Sequence, residues 1–427
     1  MLHILEDLRT FLDASPTAWH ASIQLSNRFA ARDFIPLSEG EKWELEPNKS
    51  YFVFRDGSLC AFRMPSSSPS KLQILASHTD SPALKLKPHP EQVKENLLLL
   101  GTEVYGSPLL SSWLNRDLAL AGKVVFEDLQ DQLVEKVIFI DDAPLFIPQL
   151  PVHLDKEINE KGLLLNKQDH LLPIAAIAEK KDAVKGGYVE QLIRRHFSFK
   201  RLISFDLFLV PLEGARFLGG SGEFIASYRI DNLASCHAAA SALASAHSTD
   251  TLQLSIFYDC EEIGSRTYSG ASSTFLSDVL KRLSLFWQIN PEEEQILKHN
   301  SLCVSIDMAH AFNPNYAAKF DPNHLLLPGR GIAIKHSAEK RYATSASSSS
   351  KIIQICHALN IPFQPFAMRS DLISGSTIGP IIAQNLGIDT VDIGIVQFSM
   401  HSSREVMACE DHLTLCNLLT KILEDSQ

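Results

Sequence analysis

The run Asp259-Cys260-Glu261-Glu262-Ile263-Gly264-Ser265 constrains this chain more than any other stretch. It follows Leu252 to Tyr258, whose β-branched and aromatic residues in partial alternation suit a buried strand, and Gly264 then lets the backbone turn. Neighbouring residues in extended backbone face opposite ways, so Glu261 and Glu262 divide the work: one can bind a metal while the other handles protons. An isolated Glu-Glu pair is usually a solvated turn. The rest of the chain argues for a different reading here.

Before that run, Leu2 to Leu12 reads as a helix, Ser15-Pro16-Thr17 as a stop and the start of a second helix through Arg28. Strands near Tyr51 to Phe54 and Leu59 to Arg63 flank Asp56-Gly57, a hairpin turn, and the apolar strand Leu72 to Ser77 ends at His78-Thr79-Asp80-Ser81-Pro82. From about Pro88 to Gly220 the character changes to strand-like pieces between polar turns (Gly122 to Phe126, Lys136 to Ile140, Asp206 to Pro211) with a charged helix at Tyr188 to Arg195. This predicts a β-rich insertion over 88–219 within a domain made of 1–87 and 220–427. Afterwards strands and helices alternate: Phe224 to Ile230, a helix from Asn232 to Ala246, Leu252 to Tyr258, a helix near Ser272 to Leu285, Leu302 to Ile306, Gly331 to Lys335, a helix from Ala346, Thr390 to Val396 and a closing helix from Glu410 to Leu423. Such alternation predicts an α/β sheet covered by helices.

His78, Asp231, Glu262, Asp307 and His401 each follow a predicted strand, and in open α/β sheets sites form at the carboxyl ends of strands. Two histidines and three carboxylates suit zinc, with manganese or cobalt as substitutes. Five ligands exceed what one open catalytic zinc takes and fit two ions about 3.5–4 Å apart sharing a bridging carboxylate. Asp80, two residues from His78, can accept the outer imidazole N–H and fix its tautomer. Glu261 is left as the general base. There is no HExxH helix, no G-x-S-x-G elbow, no P-loop and no dinucleotide fingerprint.

A net charge of −11 argues against nucleic-acid and anionic-membrane partners, which select basic faces. Seven cysteines without CxxC spacing fit reduced thiols, so a cytoplasmic protein is expected. Met1 to Asp13 lacks the basic-then-apolar form of a signal peptide, and no apolar run approaches the ~18 residues of a membrane span.

The chain resembles the aspartyl aminopeptidase family of co-catalytic dizinc exopeptidases. The matching segments, in order, are Ser15-Pro16-Thr17, His78 to Pro82, Asn115-Arg116-Asp117-Leu118, Val152-His153-Leu154, Asn166 to Pro173, Arg229 to Leu233, Glu261 to Ser265, Asp307 to Ala311, Arg341-Tyr342-Ala343, Gly375 to Pro380 and Ser399 to Ser402. The resemblance implies His78 and Asp307 on one zinc, Glu262 and His401 on the other, Asp231 bridging, Glu261 as base and Asp80 as the orienting carboxylate. It places substrate contacts at His153, His310, Lys335 and Tyr342. It also implies a mixed-sheet α/β zinc-peptidase domain with an inserted β-rich dimerisation domain, and dimers assembled into a tetrahedral dodecamer. This chain departs from the family's usual residues at Ser111-Ser112, Cys260 and Ser374; none of these is a ligand.

The expected function is therefore a metallo-aminopeptidase that releases one N-terminal residue, acidic by the resemblance. A dimetal N-deacylase or carboxypeptidase would use the same platform, and blocked and unblocked peptides separate the two. A non-catalytic shell protein would have no need of Glu261.

Overall fold

The computed structural model describes residues 2–177, 187–247 and 250–424. They divide into two compact units: Met1–Ser81 with Ala215–Met400 and Glu405–Gln427, and Pro82–Gly214 with His401–Arg404. The first opens with helices Leu2–Asp13 and Ala18–Ala30, then strands β1 (Ile35–Leu37), β2 (Ser50–Arg55), β3 (Ser58–Arg63) and β4 (Leu72–His78). The second supplies β5 (Ala83–Lys94), β6 (Leu97–Tyr105), β7 (Leu118–Glu127), β8 (Leu133–Leu145), β9 (Ile174–Ile177) and β10 (Arg201–Pro211). The first resumes with β11 (Arg216–Leu218), β12 (Phe224–Ser227), β13 (Leu252–Tyr258), β14 (Leu302–Ile306), β15 (Ala309–His310), β16 (Ile332–His336), β17 (Phe363–Ala367), β18 (Asp389–Gly394), β19 (Val396–Phe398) and β20 (Glu405–Ala408). The border expected at residue 88 falls inside β5, one continuous strand, so the chain passes between units earlier, at Ser81.

In the first unit nine strands form a mixed sheet in the order β1-β2-β3-β13-β4-β14-β18-β16-β17. Its centre, β13, β4, β14 and β18, is parallel, and every residue of β4 and β13 is buried, as strands covered on both faces require. One face packs on helices Leu2–Asp13, Ala18–Ala30, Ile230–Ser245, Ala346–Leu359 and Cys409–Glu424 through Leu8, Leu25, Leu233, Ile352 and Leu419. The other packs on Phe275–Phe286, Pro291–His299 and Gly379–Leu386 through Phe275, Leu280, Leu297 and Ile382. The helix expected from Ala346 is capped by Ser345 in a reciprocal box with Ser348. The helix Pro291–His299 is not among the elements predicted from sequence, although Asn290, Pro291 and Glu293 spell its cap.

Two sequence expectations are corrected. The strand expected over Phe224 to Ile230 stops at Ser227, because Ile230 already opens the next helix. The strand expected over Thr390 to Val396 divides at Ile395 into β18 and β19. Both β12 and β19 belong to a separate five-stranded sheet, β11-β12-β20-β19-β15. The common strand-end address proposed for five residues therefore holds for His78, which ends β4, and for Glu262 and Asp307, which follow the neighbouring strands β13 and β14. Asp231 and His401 are held differently.

The second unit carries a six-stranded antiparallel sheet, β8-β7-β10-β5-β6-β9, and the helix Tyr188–Arg194. Residues His401–Arg404 join this unit through Ser403, whose N–H donates to Ser112 Oγ at 2.9 Å, and through the Arg404–Glu213 ion pair at 3.1 Å. Among the described residues no helix is long and apolar enough to cross a membrane.

Candidate metal centre

The parallel pairing of β13, β4 and β14 aligns Tyr258 with His78 and Ser305 with Ala76, so the residues that follow leave the sheet side by side. His78, the buried last residue of β4, turns Nε2 toward Asp307 Oδ1 at 3.4 Å and Asp231 Oδ1 at 3.5 Å. Its Nδ1 faces the Asp80 carbonyl at 3.1 Å and Asp80 Oδ1 at 3.4 Å, which fixes the ring. Burial alone would lower the His78 pKa, but Asp231, Asp307 and Asp80 raise it well above the ordinary value.

Asp231 sits in the first turn of helix Ile230–Ser245 and is joined to Asn232 by a cis peptide bond. Its backbone is pinned: its N–H donates to Glu405 Oε2 at 2.9 Å, and its carbonyl accepts from Ser81 Oγ at 2.6 Å. Glu261 and Glu262 lie on a single 3-10 turn after β13. Their N–H groups donate to Asp80 Oδ1 and Oδ2, each at 3.0 Å. One carboxylate thus aligns the whole Glu-Glu turn as well as facing His78. Burial pushes Glu261 up to about 9; the His78 charge opposes this, and Glu262, Asp307 and Asp80 add to it. Cations beside it would bring it down again.

Lys335, buried near the end of β16, donates to the Met308 carbonyl at 2.7 Å and pairs with Asp307 Oδ2 at 3.3 Å. Its Nζ lies 5.5 Å from the centre of the buried Tyr342 ring. Burial opposes its charge, and Asp307, Tyr342, Asp392 and Asp231 outweigh that and raise its pKa. His310 is exposed on β15 and lines a cavity of about 310 Å³ with Lys319, Arg369 and Phe366. In the second unit, His401 Nδ1 lies 3.1 Å from the Ser107 carbonyl, and His153 is exposed in the turn closed by Leu154 N–H to Pro151 O.

Three buried groups escaped the sequence reading. Arg229 donates to the carbonyls of Ser15 and Thr79 and to Ser81 Oγ, tying the chain's start to the segment that carries His78 and Asp80. Glu405 fixes the Asp231 N–H. Asp392, within β18, accepts from Thr377 Oγ1 and from the Ala343 N–H, both at 2.6 Å, next to Tyr342. An ionisable residue between the apolar Val391 and Ile393 in a buried stretch was the available signal for Asp392.

The donor set fits zinc. Two donors on one tetrahedral zinc, each about 2.0–2.1 Å from it, stand about 3.3–3.4 Å apart, close to the spacings around His78 Nε2. Donor atoms of His78, Asp231 and Glu262 all lie within 4.8 Å of one another. The carboxylates of Asp80, Asp231, Glu261, Glu262 and Asp307 outnumber the nearby cations Lys335 and Arg229, an excess that divalent ions would balance.

A helix-covered mixed sheet with such a donor set at the ends of its parallel strands suits metal-assisted hydrolysis of an amide bond. Comparison with known proteins gives the family: Aminopeptidase I zinc metalloprotease (M18) matches residues 11–422, and the chain belongs to it. The "Probable M18 family aminopeptidase 2" of Pseudomonas fluorescens (strain Pf0-1) is 39% identical over 424 residues, covering 97% of this chain and 96% of that protein. Its namesake in Pseudomonas aeruginosa (strain UCBPP-PA14) is 38% identical, covering 99% and 98%. Among solved structures, Ape4 in its complex with Nbr1 superposes with a TM-score of 0.93 at 31% identity, covering 99% of this chain and 85% of that one. An M18 aminopeptidase from Thermotoga maritima superposes with 0.88 at 25% identity, covering 99% and 96%. The protein is a zinc aminopeptidase.

Proposed function

We propose that this aminopeptidase prefers peptides beginning with Asp or Glu and works with two zinc ions per subunit, manganese or cobalt being able to replace them. His78 and Asp307 would hold one ion, Glu262 and His401 the other, and Asp231 would bridge. The observation that carries the reading is the approach of both Asp231 and Asp307 to His78 Nε2 at 3.5 and 3.4 Å, with the Glu261-Glu262 turn clamped beside them by Asp80. Bound there, zinc supplies an acidified water and a Lewis acid for the scissile carbonyl. Glu261 takes the proton from the attacking water and returns it to the leaving amine. Tyr342, His310 and His153 serve as substrate contacts. Hydrolysis rates on Asp-, Glu-, Leu- and Lys-headed peptides, blocked and unblocked, together with metal content, test the reading. Equal rates on all four heads would remove the acidic preference, and turnover of blocked peptides would remove the aminopeptidase mode.

Lys335 is the residue we assign to the acidic side chain. Its partnership with Asp307 keeps the ammonium charged despite burial, so a substrate carboxylate would meet a desolvated cation. Lys335→Met is expected to lower Asp and Glu turnover by roughly 10²-fold or more and Leu turnover by under about 10-fold. Equal losses on all heads, with metal content reduced, would assign Lys335 to holding Asp307 alone.

The inserted unit is proposed as the dimerisation domain, in a homo-oligomer that reaches a tetrahedral dodecamer in the cytoplasm. His153 then completes a neighbouring subunit's site. His153→Ala and Glu261→Gln subunits, each nearly inactive alone, are expected to regain partial activity when co-assembled. Mixed oligomers verified by mass that stay inactive would exclude this donation.

A further inference from the structure

We propose that His237, His412 and Cys416 form a structural metal site separate from the catalytic centre, taking a d10 cation, Zn²⁺ or Cu⁺. His237 lies in helix Ile230–Ser245, while His412 and Cys416 stand one turn apart in the closing helix Cys409–Glu424. All three are buried, and their donor atoms lie within 4.8 Å of one another. His237 Nδ1 is 3.0 Å from His412 Nε2, and that nitrogen is 3.6 Å from Cys416 Sγ. Two nitrogens and a sulfur on one tetrahedral zinc stand about 3.3–3.4 Å (N to N) and about 3.5–3.6 Å (N to S) apart, from bonds of roughly 2.05 and 2.3 Å. The His412–Cys416 spacing already fits, the His237–Cys416 pair lies within 4.8 Å, and the nitrogens need to part by a few tenths of an ångström.

The surroundings of His237 match those of a ligating histidine. His237 Nε2 meets Asp7 Oδ2 at 2.9 Å, and Arg28 holds the same oxygen at 2.5 Å. A carboxylate on the outer ring nitrogen places the His237 proton there and leaves the Nδ1 lone pair facing His412 Nε2, the arrangement that orients imidazoles on metals. Burial lowers both histidine pKa values, so the rings stay neutral as ligands must, and pushes the Cys416 thiol up to about 12, so the metal has to displace its proton. Two imidazoles and a thiolate are the soft-to-borderline set that d10 ions favour over magnesium or calcium. On binding, the Cys416 S–H bond breaks and its proton leaves to solvent, while His412 moves its single ring proton from Nε2 to Nδ1, which is buried without a hydrogen-bond partner, so the metal bonds must offset that cost. No oxidant or reductant is needed.

The ion would staple the closing helix to the helix whose start carries Asp231, six residues before His237. None of the donors enclosing it is solvent-exposed, so loading would accompany folding.

The catalytic donors include no cysteine, which makes sulfur ligation a signature of this site alone. The full-length oligomer, unfolded, refolded with Co²⁺ and shown to be assembled and active, is expected to display thiolate-to-cobalt charge-transfer absorption in the near ultraviolet. Cys416→Ser should lose that band, keep the cobalt absorption of the catalytic centre and hold about one metal equivalent fewer per subunit. Protein prepared with zinc, and zinc-loaded protein titrated anaerobically with Cu⁺ against a chelator, distinguish the two ions by which one is retained in wild type and lost in Cys416→Ser. Active wild-type protein without the charge-transfer band, and with the same zinc and copper content as Cys416→Ser, would overturn the proposal and leave a hydrogen-bonded Asp7-His237-His412 chain. Because the band is read in wild type, a variant that fails to fold does not rescue the idea.

Discussion

Replacing Glu261 by Gln is expected to lower kcat by about 10²- to 10⁴-fold while leaving metal content unchanged. The substitution keeps the size and nearly the shape of the side chain. The turn that carries it is set by backbone N–H groups bonded to Asp80, not by the Glu261 carboxylate, so the fold has no reason to respond. What changes is that an amide cannot take a proton from water and hand it to an amine. The loss should therefore appear in kcat on every substrate, acidic or neutral, with the ratio between them preserved. Metal content measured beside the kinetics separates this outcome from the loss of a ligand. Activity within a few-fold of wild type would exclude Glu261 as the base.

The same turn shows how much of the site could be read in the sequence. Glu261 and Glu262 announce themselves because two acidic residues close an apolar strand, and His78 and Asp307 do the same after β4 and β14, where the strand pattern is strong over its full length. Lys335 ends such a pattern too, and only the three-dimensional structure reveals that its ammonium rests on Asp307. Asp231 and His401 follow strands whose ends were misplaced. Ser227 and Ile230 are three residues apart in sequence, yet one ends a strand of the small sheet and the other starts a helix, a boundary hydrophobicity does not mark. Ile395 divides two strands of different sheets within the apolar stretch Ile393 to Val396, for the same reason. The supporting groups were hidden further, because Arg229 and Glu405 act through contacts between segments far apart in the chain. In the second unit, β7 and β8 are longer than their apolar centres suggested: one face of an antiparallel sheet tolerates polar residues, which dilutes the pattern.

Replacing Asp231 by Asn should strip the centre of metal without unfolding the protein. The Asp231 main chain is fixed by Glu405 and Ser81, so the variant changes little beyond one charge. A neutral amide oxygen is a poor bridge between two cations, and zinc should fall below two per subunit with activity falling in step. Stability supplies an independent reading. In the absence of zinc, Asp231 attracts His78 but repels the neighbouring carboxylates, so its removal has opposing effects and chelated wild type and variant should melt within a few degrees of each other. Zinc that binds only the folded state adds RT ln(1 + [L]/Kd), about 2.7 kcal/mol at a hundredfold excess over Kd, which wild type gains and the variant forfeits. The expected result is a zinc-dependent rise in Tm that is large in wild type and small in Asp231→Asn. Two fully retained zinc ions in the variant, with an undiminished rise in Tm, would show that Asp231 does not bridge and that the ions depend on the other donors.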